Sequence, residues 1–73
     1  MSIGKRVRQQ RNLKRMSQSE LSVRAEVSQS IISSLESDKS IPNSVMLLRI
    51  AKELGVDIND LLRDEDIVQN NPN

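Results

Sequence analysis

Apolar residues recur along this chain every three to four positions, in five short bursts separated by Ser, Asn, Asp, Pro and Gly, a pattern that predicts five helices and no strands. Ile3 and Val7 fall one turn apart on the inner side of a first helix, capped by Ser2 and running to about Lys14; Met16 then returns to the core. Arg11 borders that apolar stripe and needs a partner, because an unpaired buried cation is expensive. Ser17-Gln18-Ser19-Glu20 reads as a capping box, in which the Ser17 hydroxyl accepts from the third helical amide and Glu20 reaches back to the cap amide. The helix it opens has barely two turns, with Leu21 and Ala25 inward, Val23 outward and the small Ser22 allowing close approach. So short a helix must be held by its neighbours. Glu26-Val27-Ser28 supplies a corner, with Val27 buried and Ser28 capping the third helix.

Beyond Ser37, charge, Ser and Pro make residues 38–42 a loop, and Asn43 caps a fourth helix. There Leu47, Leu48, Ile50, Ala51 and Leu54 are expected to form a wide apolar arc with Ser44 inside it, and Gly55 ends the helix in the left-handed conformation. Val56 packs, Asp57 caps a last short helix with Asp60 in its first turn, and Ile58, Leu61 and Leu62 give that helix an apolar side. Residues 64–73 have little to bury and are expected to be a flexible tail, leaving residues 1–63 as one domain.

The third helix is unusual. A period of 3.6 turns Ile32, Leu35 and Glu36 to one side, with Ile31 at the margin, and sets Gln29, Ser30, Ser33, Ser34 and Ser37 on the other. Serine is a mediocre helix former, and a surface helix shaped for stability alone favours Glu, Lys or Ala. Short neutral hydrogen-bonding groups can approach another polar surface closely, and the edge of a base pair is one such surface. On these residues alone a solvated serine face fits equally well.

Composition narrows the function classes. The 73 residues contain no Cys and no His, which removes the usual zinc ligand sets, the thiol nucleophile and the commonest general base. No Phe, Tyr or Trp is present either, so the stacking platforms of single-strand and RNA-loop binders are missing. No metal, cofactor or enzymatic activity is expected. With no run of about 18 apolar residues and no signal-peptide pattern, the chain reads as soluble and cytoplasmic. The net charge of +1 conceals a polarity. Residues 1–24 carry seven cations against Glu20 alone, and the remainder carries nine acids against four cations. Such an arrangement suits a protein that meets a polyanion with one end, although ordinary solvation explains most of Lys5, Arg6 and Arg8, which spread over the whole exposed side of the first helix.

Five segments in order, IGKRVRQQR, MSQSEL, VSQSIISSLESDKSIP, LLRIAKELGV and INDLL, resemble the Cro and phage-repressor type of helix-turn-helix, the XRE-type family, from Ile3 to Leu62. The resemblance implies a compact all-α, five-helix lambda-repressor-like domain, with helices 2 and 3 as the helix-turn-helix and helix 3 in the major groove of DNA. It places Gln29 and Ser30 at the main base-reading positions, with Ser33 and Ser34 one turn later. Glutamine can address adenine bidentately, whereas serine hydroxyls discriminate less. Ile31, at the margin, either meets a thymine methyl or covers the seam between helices. Gln18 looks like a DNA-backbone contact that also buttresses the reading helix, and Ser28, Lys39 and Asn43 match backbone positions. Arg11 and Glu36 match a structural ion pair. Where the family usually has glycine, this chain has Arg15 and Glu26; Ser22 stands for an alanine and Ser44 for a larger apolar residue, which leaves the turn geometry and local packing open.

The expected function is sequence-specific binding of double-stranded DNA by a homodimer at a palindromic operator, as a transcriptional repressor or regulator, nucleoid-associated when bound. Ile58, Leu62, Ile67 and Val68 are candidates for the dimer surface, although Ile58 and Leu62 can equally close the monomer core. No small-molecule ligand or membrane partner is expected. The alternative is a protein-interaction module, antitoxin-like or a dimerisation adaptor, that keeps the fold without reading DNA.

Overall fold

The computed structural model describes residues 1–63, and the candidate dimer residues Ile67 and Val68 and the expected tail lie outside them. Five helices follow one another: α1 (Ile3–Leu13), α2 (Gln18–Ala25), α3 (Gln29–Glu36), α4 (Ser44–Leu54) and α5 (Ile58–Leu62). Each begins at a short polar residue whose side chain accepts a backbone N–H that the helix itself leaves unpaired. Ser2, Ser17, Ser28 and Asn43 accept from the third helical amide and Asp57 from the second. At Ser17 only half of the expected capping box forms as drawn, because the Glu20 carboxylate turns to Arg24, one turn on, at 2.9 Å.

The helices pack around one core. Its fully buried side chains are Val7 from α1, Leu21 from α2, Ile32 and Leu35 from α3, Ile50 and Leu54 from α4 and Leu61 from α5. Helix α1 touches α3, α4 and α5, and α2 rests on both α3 and α4, so the two shortest central helices are clamped from two sides. Gly4 allows the tightest of these approaches. A β-carbon there would lie 1.9 Å from the Leu35 carbonyl oxygen, so the backbones of α1 and α3 meet only because the side chain is absent.

Helix α4 corrects two expectations. Leu47, Ile50, Ala51 and Leu54 are buried, but Leu48 is 52% exposed and Ser44 is exposed as well. At about 100° per residue, Leu48 is turned roughly 110° from the middle of the buried arc, towards Val45 and Lys52 on the solvent side. Ser44 occupies the first turn, ahead of the point at which Leu47 enters the core. The arc is therefore narrower than the run of apolar letters implies.

Three helix ends are closed by non-glycine residues in the left-handed region: Arg15 (φ 54°), Glu26 (φ 58°) and Asp38 (φ 63°). The turn at Glu26 keeps the geometry that glycine would serve, and the chain accepts the side chain's strain there. Ser22 helps to hold that turn, since its hydroxyl donates to the Val27 carbonyl at 2.6 Å. A serine in place of alanine thus ties α2 to the corner rather than loosening it. Gly55 (φ 72°) ends α4, and the Lys14 ammonium lies 3.7 Å from where its β-carbon would be, a cation placed over a helix C-terminus.

Candidate nucleic-acid interface

The corner formed by Glu26, Val27 and Ser28 fixes α3 relative to α2, and Ile32, Leu35 and Glu36 bury its inner side. Glu36 is the only buried charged residue among the described residues, with a side chain 3% exposed. It is held from two directions. Arg11 of α1 grips the carboxylate in a fork, Nε to Oε2 at 2.7 Å and Nη2 to Oε1 at 2.9 Å, while Nη1 donates to the Met16 carbonyl at 2.6 Å. Gln18, the first residue of α2, donates from Nε2 to Oε1 at 3.1 Å. The Glu36 hydrogen bonds hold the guanidinium above its ordinary pKa; burial opposes this, and the carboxylate charge adds to it. Arg11 is accordingly a permanent cation, spent on the scaffold. Three helices converge on one carboxylate, and the end of α3 is thereby locked to the starts of α2 and the α1–α2 turn.

The opposite side of α3 is open. Gln29, Ser30 and Ser33 are exposed, while Ser34 and Ile31 are half-buried. The Ser28 hydroxyl is occupied by the Ile31 amide at 3.1 Å, and the Asn43 carboxamide oxygen by the Met46 amide at 2.9 Å. Asn43 keeps its amide N–H donors and both residues remain exposed. Lys39 is exposed in the α3–α4 loop, and its backbone amide is fixed by the Ser34 carbonyl at 2.8 Å. The structure therefore brings the side chains of Gln18, Arg11 and Glu36 into one network, and sets Gln29, Ser30 and Ser33 on a single free surface. It separates Ile58 and Leu62 from both: Ile58 packs against the core and Leu62 is 45% exposed on α5. Gly4 and Asp38 were not singled out in the sequence. The run Ser37-Asp38-Lys39 after a helix is a signal for a left-handed helix end, since Asp tolerates that region better than most residues.

An all-helical domain with a short helix pair hinged at a left-handed corner, its second helix braced inside and polar outside, is a helix-turn-helix DNA-binding domain. The family model described as "Helix-turn-helix domain" matches residues 4–67, and the chain belongs to this family, in its XRE type. Among solved structures, it resembles a chain of the SinR protein/SinI protein complex at 33% identity and TM-score 0.84, covering 90% of this chain and 65% of that one. The chain thus spans just under two thirds of that relative. It also resembles SinR, the master regulator for biofilm formation, in complex with DNA (35% identity, TM-score 0.80, 84% of this chain and 98% of that one). The N-terminal DNA-binding domain of SinR from Bacillus subtilis matches at 34% identity and TM-score 0.82, over 86% and 93% of the two chains. Comparison with curated protein sequences gives no significant match.

Proposed function

We propose that the chain is a transcriptional regulator, acting as a repressor, that binds a palindromic site on double-stranded DNA as a homodimer with α3 in the major groove. The observation that carries this reading is the split character of α3: one side anchored through Glu36 by Arg11 and Gln18, the other presenting Gln29, Ser30 and Ser33 to solvent. A helix used only for packing has no need of so firm a brace beneath so polar a face. The likeness to a SinR structure in complex with DNA supports it. In this reading Gln29, Ser30, Ser33 and Ser34 meet base edges, and Gln18, Ser28, Lys39 and Asn43 meet the backbone. Residues 1–63 serve as the DNA-binding domain, and the protein works in the cytoplasm on the nucleoid. Among the described residues no helix is long and apolar enough to cross a membrane.

A second reading, a protein-interaction module on the same fold, draws on the likeness to a chain found in a SinR protein/SinI protein complex. Selection of bound duplexes from a random pool separates the two. The DNA-reading protein enriches a two-fold symmetric sequence, and Gln29→Ala relaxes one position in each half-site at a cost of about 1–3 kcal/mol. A Gln29→Ala variant with the wild-type preference at every position would remove the assigned reading face. A pool that shows no enrichment would favour the interaction module.

A further inference from the structure

The cations of α1 have different surroundings. Lys5 faces the outer side of the helix with Gln9, Asn12 and Leu13. Arg6 points to the α5 side, beside Asp60 and Leu61. Arg8 lies at the edge of the outer side and also lines a cleft of about 210 Å³ with Arg11, Gln18, Ser33, Glu36 and Ser37. This cleft is bounded by α1, the start of α2 and the end of α3. Through Ser33 it adjoins the open face of α3.

Inside the cleft two of the three fixed charges cancel. Arg11 and Glu36 neutralise each other, and Arg11 has three of its donors committed. The Ser37 hydroxyl donates to the Ser33 carbonyl at 2.9 Å, so its proton is used as well. What remains is a set of donors: the Arg8 guanidinium, the second N–H of the Gln18 amide and the Ser33 hydroxyl. Among the described residues no carboxylate forms an ion pair with Arg8. A small site with one uncompensated cation, neutral donors and a carboxylate already paired is suited to a singly charged oxyanion.

We propose that Arg8 seats a phosphate of the DNA backbone in this cleft, together with Gln18, so that α1 becomes a third DNA-contacting element beside α2 and α3. The proposal rests on the DNA-binding reading above. The Glu36 hydrogen bond fixes the Gln18 amide with Nε2 towards the carboxylate, and Gln18 lines the same cleft as Arg8 with one amide N–H still left to donate. One carboxylate thus positions both the reading helix and one of the phosphate donors.

The test uses the full 73-residue chain and a mixed-sequence DNA duplex, with affinity followed by fluorescence anisotropy over a series of salt concentrations. Arg8→Gln and Lys5→Gln remove the same charge from exposed positions of the same helix while keeping a good helix former, so both fold. Each phosphate contact contributes about 0.9 to the slope of log affinity against log salt. Arg8→Gln is expected to flatten the slope by about that amount and Lys5→Gln to leave it unchanged, while Arg8→Lys restores it. Equal slopes for Arg8→Gln and Lys5→Gln, with steep wild-type binding, would overturn the phosphate seat and leave the DNA-binding reading standing. Absence of salt-dependent binding by the wild type would overturn both.

Discussion

Gly4 sets how closely α1 can approach α3, although nothing in its neighbourhood advertises it. A methyl group there has no flexible side chain to displace. It meets the Leu35 carbonyl at 1.9 Å, a backbone atom already committed to the end of α3. Gly4→Ala must therefore move α1 away from α3, and with it the Arg11 fork that braces Glu36. The expected loss is about 3 kcal/mol, at the upper end for overpacking and a large share of the stability of a domain this small. Urea unfolding followed by circular dichroism measures it, and an unchanged midpoint would show that the two helices do not meet as closely as described. Such residues are hard to find in sequence because glycine inside a helical pattern signals only reduced propensity; the need arises from another helix crossing there. Glu26 is different. Its place between two helical bursts marks a corner, and the glycine usual there in the resembled family pointed to a left-handed turn, but a glutamate left that geometry open until the structure gave φ 58°. At Asp38 the signal was present but passed over, because the loop's charge and its proline explain the end of the periodicity without it.

At the scale of the helix, α3 depends on a bond that propensity cannot supply. Eight residues with three serines would not persist alone, and the Arg11–Glu36 fork is the only ion pair among the described residues with both side chains largely buried. Breaking one side of such a pair costs far more than the pair contributes, because the survivor is left charged away from water. Arg11→Ala is expected to destabilise the fold by about 3–5 kcal/mol, whereas Arg11→Met combined with Glu36→Met recovers much of the loss. Thermal melts of the two variants test this, and a single variant that melts with the wild type would deny the pair any structural role. The double variant also frees the Gln18 amide, so it should bind DNA more weakly than its stability alone implies. The helix boundaries and inward residues of α1, α2 and α3 followed from caps and a 3.6-residue period. Helix α4 misled at Leu48 because a run of apolar letters gives hydrophobicity without direction. Only the positions of its neighbours settle which third of the helix is covered.

Across the whole molecule, the cations gather in α1 and the α1–α2 turn, while the apolar residues left exposed are, Leu13 of α1 apart, found mostly elsewhere. Ile41, Val45 and Leu48 lie along the loop and outer side of α4, and Leu62 ends α5. Ile58, by contrast, is half-buried and packs against the core. Of the two dimer candidates among the described residues, Leu62 is the more exposed. If two copies meet through it on a palindromic site, their reading helices are set about 34 Å apart on one face of the duplex, and binding to the second half-site is helped by the first. Leu62→Gln keeps charge and helix propensity and removes only apolar area. It is expected to lower affinity for a duplex carrying both half-sites by about tenfold, a cost of about 1.4 kcal/mol, while affinity for a single half-site stays at the wild-type value. Parallel titrations of the two duplexes read the difference directly. Equal loss on both would instead place Leu62 in the stability of the domain, and no loss on either would move the meeting surface to the exposed side of α4, where Val45 and Leu48 offer the next apolar face.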